Sequence, residues 1–561
     1  MQSRVVDYLV HAVSALGVRH IFGVDGANIE DLYDAVFDAP DEVTGVIAKH
    51  EFSAATMADG YARSTGGIGV VAATSGGGAM NLVAGLAESF ASRVPVLALV
   101  GQPPTTLEGN GAFQDTSGRA GTIDAVRMFG EITRYCARVE TGAEVPDQLA
   151  RAVSAARHGG PAVLLLPKNV QQSNMAETPP FRLPAKAYRR DAAGLVRLRA
   201  ALTTARRTGK IVIIAGDQVA RDDARDELAR LAGVLDAVVG VAPDAKDTYD
   251  NADPAFCGVA GSMGHPGLGA AIRSAALCLF IGTPMPITAR TGLDELLPGR
   301  VVASIGVTPP YSPTIHATST DLARTLGELA DQFSSAAIES VQRSATPPTP
   351  LRVPESPGPG LRYRDLVETI EAALPDGTDV FADAGNTGAA VVHHLRVPRD
   401  GRFVVALGMG GMGYAFGAGI GSAFARRRGP DGVRRTVVVA GDGAFFMHGM
   451  EIHTAIEHAL PITFIVLNNN AHAMCLTREQ LYYRDRYSFN RFRPAHLGAG
   501  IGAMFPDLPA RSVRAPGELA AALRHCMKTP GPSFLSIDVD PDEVPPFLPF
   551  LTTIEQARSK P

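Results

Sequence analysis

The sequence predicts an α/β protein built from three doubly wound parallel-sheet domains. The 561 residues correspond to three or four domains at about 150 residues each. Short apolar runs alternate with helical patterns along the whole chain, which is typical of parallel sheets covered by helices. Two proline-rich segments interrupt this alternation, and proline favours extended backbone over helix.

The stronger proline-rich segment, residues 346–360, holds six prolines in fifteen residues. Such a composition predicts a linker. A weaker interruption covers residues 167–184. We therefore expect an N-terminal domain over residues 1–168, a central domain over 190–340 and a C-terminal domain over 361–561.

Apolar runs predict strands in all three domains. The predicted strands cover residues 43–48, 68–74 and 95–101 in the first domain, 211–216 and 278–282 in the second, and 379–383, 436–443 and 462–470 in the third. A helical pattern starts at Glu51, directly after the first of these strands. The first and third domains share a similar rhythm of strands and helices.

Composition excludes several classes of protein. With 46% apolar and 19% charged residues, the chain is typical of a well-packed globular protein. The net charge of −5 comes from scattered charges, which argues against nucleic-acid binding and against a polybasic membrane binder. Five widely separated cysteines fit neither a disulfide framework nor a zinc ribbon. The first residues predict an amphipathic helix and no signal peptide, so we expect a cytoplasmic protein.

One uncharged stretch is long enough to span a bilayer, namely the 22 residues 404–425. Its glycines make it a poor helix-former in the first half, and it lacks the leucine and isoleucine runs that favour insertion. We interpret it as a buried strand, a glycine-rich turn and a tightly packed helix.

The segment from residue 436 to residue 470 predicts a βαβ unit. Its first strand ends at Asp442-Gly443 and its second ends at Asn469. Both strand ends lie at the same edge of a parallel sheet, where open α/β folds bind ligands. A carboxylate and an amide oxygen, joined by backbone carbonyls and diphosphate oxygens, suit Mg²⁺. The alternative interpretation is a plain strand-end aspartate followed by a turn of asparagines.

The spacing of this segment resembles the fingerprint of the thiamine diphosphate enzymes, because Gly-Asp-Gly is followed by 24 residues and then Asn-Asn. The resemblance implies that Asp442, Asn469 and the carbonyl of Ala471 hold Mg²⁺. It also implies contacts between the cofactor and several further backbone and side-chain groups. These belong to Thr74, Gly385, Asn386, Thr387, Gly443 and Ala444.

His50-Glu51 begins a helix of small apolar residues, so we expect Glu51 to lie against packed surface. A carboxyl group against packed surface is suited to act as a proton shuttle. An exposed glutamate at a helix start is the alternative interpretation. The segment resembles the pyrimidine domain of thiamine diphosphate enzymes. In these enzymes such a glutamate bonds N1′ of the aminopyrimidine, and the cofactor's 4′-nitrogen then removes the proton from C2.

The glycine cluster at residues 407–421 resembles the part of these enzymes that holds the cofactor in its folded shape. By this resemblance Met412 supports the bend of the cofactor, and the carbonyl of Gly410 bonds the 4′-amino group. Met409 is the competing methionine. A core methionine among helix-packing glycines is the alternative interpretation.

The resemblance narrows to acetolactate synthases and benzaldehyde lyases. Phe113-Gln114 matches a substrate-site motif of the synthases. Ala27 and Asn28 stand in the substrate-facing positions of a loop closer to that of benzaldehyde lyase. The resemblance extends over essentially the whole chain.

Two departures from the synthase pattern bear on ligands. The pattern near Met474 has a tryptophan where this chain has Arg478, and an arginine suits a carboxylate or phosphate better than an alkyl group. In the central domain, Gly282 to Arg290 differs from the stretch associated with flavin, which argues against FAD.

The resemblance thus implies a carboligase that uses thiamine diphosphate and Mg²⁺. It would decarboxylate a 2-oxo acid to an enamine and join this to a second carbonyl compound. Decarboxylation alone and acyloin cleavage use the same intermediate and stay open. A non-catalytic, thiamine diphosphate-binding regulatory protein is the alternative from another class. In the family the cofactor lies at a chain interface, which implies a homodimer or homotetramer.

Overall fold

The computed structural model describes residues 3–176, 178–182, 185, 187–312, 314–334, 347–427, 433–487 and 489–559. These residues form three parallel six-stranded sheets with helices between the strands. The predicted fold class is therefore confirmed. The limits of the three domains stay a prediction, and their residues 1–2, 313, 335–340, 428–432, 488 and 560–561 lie outside the described part of the chain.

The first sheet has the strand order β2-β1-β3-β4-β6-β5. Its strands are β1 His20–Val24, β2 Thr44–Ile47, β3 Gly69–Ala73, β4 Val96–Gln102, β5 Tyr135–Arg138 and β6 Pro161–Pro167. Its helices are α1 Val5–Ala15, α2 Glu30–Asp38, α3 Glu51–Thr65, α4 Gly77–Asn81, α5 Val83–Ala91, α6 Ala125–Gly130, α7 Val145–Arg157 and α8 Lys168–Gln171. β3, β4 and β6 are buried throughout, as expected for parallel strands covered on both faces.

The central sheet has the order β12-β11-β10-β7-β8-β9. Its strands are β7 Lys210–Ala215, β8 Val238–Val241, β9 Phe256–Val259, β10 Ala275–Ile281, β11 Val301–Gly306 and β12 Ile315–Thr318. Its helices are α9 Ala192–Thr208, α10 Gln218–Arg221, α11 Arg225–Leu235, α12 Pro266–Ser274, α13 Ile287–Arg290 and α14 Leu322–Ser334.

The third sheet has the order β14-β13-β15-β16-β18-β17. Its strands are β13 Asp379–Ala382, β14 Phe403–Val405, β15 Thr436–Gly441, β16 Ile462–Asn468, β17 Ala510–Val513 and β18 Ser533–Asp538. Its helices are α15 Tyr363–Ala373, α16 Asn386–His394, α17 Tyr414–Arg426, α18 Asp442–His448, α19 Ile452–Glu457, α20 Ala473–Tyr483, α21 Leu497–Met504, α22 Pro516–Lys528 and α23 Leu548–Arg558.

Every strand predicted above is present, with ends that differ by a few residues. The structure differs from the sequence expectation at two places. Asp442 and Gly443 begin α18 instead of ending β15, and a 3-10 turn at Gly449–Glu451 divides the expected single helix into α18 and α19. The weaker proline-rich interruption begins with a short helix, α8.

The uncharged stretch forms β14, a glycine-rich turn and α17, whose residues are almost all buried. This matches its interpretation as strand, turn and packed helix. Among the described residues, no helix combines the length and apolarity needed to cross a membrane.

The N-terminal and C-terminal domains meet where α3 crosses α17. Glycines make this close approach possible. A Cβ atom on Gly60 would lie 1.9 Å from the carbonyl oxygen of Ala418, and one on Gly421 would lie 1.9 Å from that of Met57. The two helix backbones are therefore in contact, and α3 fixes the position of Glu51 relative to the C-terminal domain.

The central domain contacts the C-terminal domain through the buried Lys246. Its ammonium group donates hydrogen bonds to the carbonyls of Val391, Val392 and Leu395 at the end of α16, and it lies 5.3 Å from the ring centre of Phe403. Burial lowers the pKa of Lys246 to about 7.

Candidate active site

Glu51 is the first residue of α3 and is 9% exposed. Its Oε2 accepts a hydrogen bond from Asn81 Nδ2 at 2.9 Å. A Cβ atom on Gly78 would lie 3.0 Å from Glu51 Oε1, so the glycine leaves room for this carboxylate. The packed surroundings expected for Glu51 from the sequence are present, and its position at a helix start is fixed by Asn81.

A small polar network lies at the carboxyl end of β3. The Thr74 hydroxyl accepts the backbone N–H of Asn28 at 3.2 Å and donates to Gln114 Oε1 at 3.3 Å. Asn28 Nδ2 donates to the hydroxyl of Ser75 at 2.7 Å. Three segments that are distant in sequence therefore meet here, and three of the four side chains were predicted site residues.

The neighbours of this network differ in exposure. Gln114 has a φ of +58° and packs against Gly76, where a Cβ atom would lie 2.7 Å from the Gln114 Cβ. Phe113 is 75% exposed. Ala27 is also exposed, and its carbonyl accepts a hydrogen bond from Lys168. The structure thus places Gln114 within the network and leaves Phe113 and Ala27 at the surface beside it.

Asp442 begins α18 and is 1% exposed. Its Oδ1 accepts the N–H of Gly443 at 3.0 Å, while Oδ2 is buried without a hydrogen-bond partner among the described residues. Burial raises the pKa of Asp442 to about 7, against the lowering effect of the N–H groups of Gly443, Asn470 and Ala471. Because Asn470 and Ala471 directly follow β16, the two strand ends are adjacent as the sequence predicted.

Asn469 and Asn386 complete this group. Asn469 Oδ1 accepts the N–H of Ala471 at 3.0 Å, and its Nδ2 lies 3.5 Å from the Tyr363 hydroxyl. Asn386 begins α16, and both polar atoms of its amide are buried without a partner within hydrogen-bond limits in the described part of the chain. Burial raises the pKa of Tyr363, whose hydroxyl lies near both asparagines.

The turn before Asn386 is open. Gly385 has a φ of +93° with no atom near its Cβ position, a conformation that favours glycine. Thr387 is buried, and its hydroxyl lies 3.4 Å from the Cβ position of Gly441. N–H groups at the start of a helix suit an anion, so this turn can take part of a diphosphate.

Gly443 and Met412 lie side by side. A Cβ atom on Gly443 would lie 2.4 Å from a ring carbon of His472 and 3.2 Å from the terminal methyl of Met412, so only glycine fits. Ala444 follows and is fully buried. Gly410 has a φ of +70°, and Met409 is 64% exposed. Of the two methionines, Met412 is therefore the one packed beside the predicted diphosphate residues.

The residues at this edge fit a magnesium diphosphate chemically. Asp442 Oδ2 and the Asn386 amide are buried polar atoms without partners among the described residues, and buried polar groups are normally satisfied. A hard cation would bind the carboxylate oxygen of Asp442, and a diphosphate oxygen would accept a hydrogen bond from the Asn386 amide. The described residues contain no cluster of three or more His, Cys, Asp or Glu side chains suited to a metal, so a cation here would need amide, carbonyl and phosphate oxygens in addition to the Asp442 carboxylate.

The two remaining predicted substrate residues lie on α20. Met474 is partly buried against the core. Arg478 is exposed, and its Nη1 lies 3.9 Å from the Sγ atom of Cys475.

Sequence reasoning missed several residues of the site. Tyr363, Ser75 and Asn81 all contact predicted site residues. Ser75 and Asn81 lie within seven residues of Thr74 in the chain, so their closeness to a predicted site residue was a usable signal. Tyr363 follows the linker, and nothing in its local sequence indicates that α15 reaches β16.

The matching family models agree with this geometry. The N-terminal thiamine pyrophosphate-binding domain matches residues 3–121, the central domain of thiamine pyrophosphate enzymes matches residues 197–327, and the C-terminal thiamine pyrophosphate-binding domain matches residues 383–537.

Known proteins resemble the chain over nearly its full length. A probable acetolactate synthase large subunit of Methanocaldococcus jannaschii is 27% identical, covering 97% of this chain and 93% of the relative. The acetolactate synthase isozyme 2 large subunit of Escherichia coli is 26% identical, covering 95% of each. An X-ray structure from Mycobacterium smegmatis, described as a candidate thiamin diphosphate-dependent enzyme, has the same fold with a TM-score of 0.80 and 22% identity over 96% of this chain and 100% of that one.

Family models match all three parts of the chain in the order found in thiamine pyrophosphate enzymes, and full-length relatives are acetolactate synthases. The chain therefore belongs to the thiamine pyrophosphate enzyme family and is an acetolactate synthase-like enzyme.

Proposed function

We propose that the protein is a carboligase that depends on thiamine diphosphate and Mg²⁺, decarboxylates a 2-oxo acid and joins the remaining unit to a second carbonyl compound. One observation supports this above all: a buried carboxylate, Glu51, and a group of unpartnered polar atoms around Asp442 lie in the two parts of the chain that match cofactor-binding domains. The chemistry that thiamine diphosphate supplies when bound is a nucleophilic carbon that adds to carbonyl groups.

Glu51 would hold the proton at N1′ of the aminopyrimidine. Its carboxylate has one oxygen bonded by Asn81 and the other beside Gly78, so its orientation is fixed before the ligand arrives. The packed α3 around it excludes water, which strengthens a hydrogen bond between this carboxyl group and a ring nitrogen.

Asp442, Asn469 and the carbonyl of Ala471 would hold Mg²⁺, and the magnesium ion would hold the diphosphate. Gly385, Asn386 and Thr387 would bind the diphosphate at the start of α16. Gly443 and Ala444 would allow close approach of the backbone, with Met412 packed beside them. These groups would bind and orient the cofactor, and they would transfer no proton.

Substrate contacts are proposed for the polar network of the N-terminal domain. Thr74 orients the Gln114 amide and Ser75 orients the Asn28 amide. Ala27 and Phe113 lie at the surface beside them. Met474 and Arg478 would contribute from α20, and the exposed guanidinium suits a carboxylate of the 2-oxo acid or its partner.

The cofactor residues come from two domains, and we propose that the complete site forms between two chains of a homodimer, or of a homotetramer made from such dimers. We also propose that the enzyme works in the cytoplasm, because all five cysteines are free thiols and reducing compartments keep thiols in this state. Subcellular fractionation checks this location.

Replacing the carboxyl group tests the catalytic assignment. We expect Glu51→Gln to lower turnover of pyruvate by about 100-fold or more and to leave the fold unchanged. Glu518→Gln, at the exposed start of α22, is the matched control and should retain activity. Turnover by Glu51→Gln equal to that of an active wild type would contradict the mechanism, and no turnover by the wild type would favour a non-catalytic, regulatory protein.

Product analysis separates ligation from its alternatives. Pyruvate would be supplied with a panel of carbonyl acceptors, and the products identified by mass spectrometry. We expect acetohydroxy acids or acyloins. Exclusive formation of free aldehyde would favour a decarboxylase, and cleavage of added acyloins without ligation would favour a lyase.

A further inference from the structure

Glu88 on α5 is a buried carboxylate that belongs to none of the groups above. It is 2% exposed. Its Oε1 accepts the N–H of Gly408 at 3.1 Å and the hydroxyl of Ser92 at 2.7 Å. Its Oε2 accepts the N–H groups of Met409 at 2.6 Å and Gly410 at 3.2 Å. Three consecutive N–H groups of the C-terminal domain therefore converge on one carboxylate of the N-terminal domain.

The segment that Glu88 binds is the loop between β14 and α17, residues 406–413. Its far end is held by a second buried carboxylate, because Asp383 accepts the N–H groups of Gly413 and Ala415 at 2.9 Å each. Gly410 and Gly413 both have positive φ. The loop is thus fixed at two ends by carboxylates from different domains, in a backbone conformation that glycine allows.

All four groups that contact Glu88 donate to it, so the contact uses both of its oxygens as acceptors. A glutamine in its place would present an amide NH₂ group to at least one backbone N–H. Gly408 also has no room to move toward α5, since a Cβ atom there would lie 2.8 Å from Glu88 Oε1 and 2.8 Å from the Ala91 Cβ. The contact therefore depends on the two acceptor oxygens and the length of this side chain.

We propose that Glu88 is a positioning residue for the thiamine diphosphate site: it sets the loop that presents the Gly410 carbonyl and the Met412 side chain to the aminopyrimidine. This inference rests on the proposed function. Glu88 acts through the backbone and touches neither cofactor nor substrate. In the proposed homodimer, Glu88 holds this loop within its own chain.

The test compares Glu88→Gln with Ser92→Ala, which removes a donor to the same carboxylate but leaves the loop contacts intact. Hydrogen–deuterium exchange of the protein without cofactor measures the loop directly. We expect Glu88→Gln to speed exchange of the 408–410 amides by about tenfold and to leave the α17 amides unchanged. Ser92→Ala should leave both segments within about twofold of wild type.

The second measurement is the deuterium exchange rate at C2 of the thiamine diphosphate bound with Mg²⁺, followed by proton NMR after acid quench. We expect Glu88→Gln to slow C2 exchange by about tenfold to 100-fold, with a dissociation constant for the cofactor within about threefold of wild type, because the diphosphate is held elsewhere. Ser92→Ala should exchange at the wild-type rate.

The outcomes separate the two hypotheses. If the wild type does not accelerate C2 exchange, the proposed function is wrong. If the wild type does so and Glu88→Gln matches it, the positioning role is wrong, even where the loop amides exchange faster. Should Glu88→Gln fail to fold, Glu88→Asp retains the acceptors with a shorter reach, and wild-type C2 exchange in that variant overturns the inference.

Discussion

Unpartnered polar atoms are the most informative residue-scale feature of the C-terminal domain. Asp442 Oδ2 and both amide atoms of Asn386 are buried without partners in the described residues, and burial raises the pKa of Asp442 to about 7. Such atoms cost folding free energy unless a ligand satisfies them. These atoms therefore indicate a binding site for a ligand that the described residues do not themselves supply.

Removing this carboxylate should separate binding from folding. We expect Asp442→Asn to weaken Mg²⁺-dependent binding of thiamine diphosphate by about tenfold or more. The melting temperature of the cofactor-free protein should stay level or rise, because the substitution removes a buried, half-satisfied acid. Calorimetric titration and thermal denaturation measure the two effects. The exposed Asp376→Asn is the control, and weakened binding there would contradict the assignment.

Glu543 gives a pH prediction that is independent of the cofactor. Burial raises its pKa from 4.5 to about 7, and both oxygens accept the N–H of Tyr363. A raised carboxyl pKa stabilises the fold below about pH 4.5, and this contribution is lost as the pH rises through about 7. Relative to Glu543→Gln, the wild type should lose about 3 kcal/mol of unfolding free energy between these limits.

Urea denaturation across this pH range checks the Glu543 prediction. Glu555→Gln, on the exposed face of α23, should keep the wild-type pH dependence. Equal pH profiles for wild type and Glu543→Gln would show that the Glu543 pKa is not raised.

The sequence predicted the site residues that lie in local motifs. It missed the residues that contact the site only through the tertiary fold. Glu51 and Asp442 stand at strand-to-helix junctions, whose residue types and spacing are visible in the chain. Tyr363 and Glu88 reach their partners across 106 and more than 300 residues of sequence. Neither has a local pattern that distinguishes it from a core tyrosine or an ordinary helix glutamate.

At the scale of elements, the crossing of α3 and α17 decides how the two cofactor-binding domains meet. Gly60 and Gly421 each face a backbone carbonyl of the other helix. The glycine-rich sequence of α17 predicted a tightly packed helix, but its partner could not be read from the chain, because small residues specify a short distance and not a neighbour.

We expect Gly60→Ala and Gly421→Ala each to destabilise the protein by about 3 kcal/mol or more, since the added methyl would overlap a carbonyl oxygen. Chemical denaturation followed by circular dichroism measures this. Gly517→Ala in α22, where no atom lies near the Cβ position, is the matched control and should be neutral or stabilise by up to about 1 kcal/mol. A neutral result at Gly60 would mean that the two helices do not touch.

At the scale of the whole molecule, the first and third sheets share one strand order and the central sheet has another. The similar rhythm of the first and third domains agrees with this. The order itself could not be predicted, because the apolar pattern of a strand identifies burial and does not identify its neighbours. The three sheets were predictable from length, linker composition and periodicity.

Exposed apolar side chains support the proposed dimer. Phe446, Met447 and Met450 follow the diphosphate residues, and each is at least 42% exposed. Phe113 and Ile123, near the substrate network, are 75% and 53% exposed. Exposed apolar surface next to both the diphosphate residues and the substrate network is typical of a protein–protein interface.

A charge placed in this surface should prevent association. We expect Met447→Glu to convert the dimer to an inactive, folded monomer, because an interface would desolvate the new carboxylate. Phe37→Glu, at an 82% exposed position on α2, is the control and should stay dimeric. Light scattering coupled to size-exclusion chromatography measures both, and an active wild-type monomer would refute the dimer.

The buried Lys246 of the central domain, which holds none of the proposed site residues, contacts a helix that begins in the proposed site. α16 begins with Asn386 at the diphosphate turn and ends with carbonyls that accept from Lys246. Helix α16 is therefore a direct physical connection between the proposed ligand site and the contact with the central domain. Reciprocity requires that whatever factor docking adds to cofactor affinity, the cofactor adds to docking.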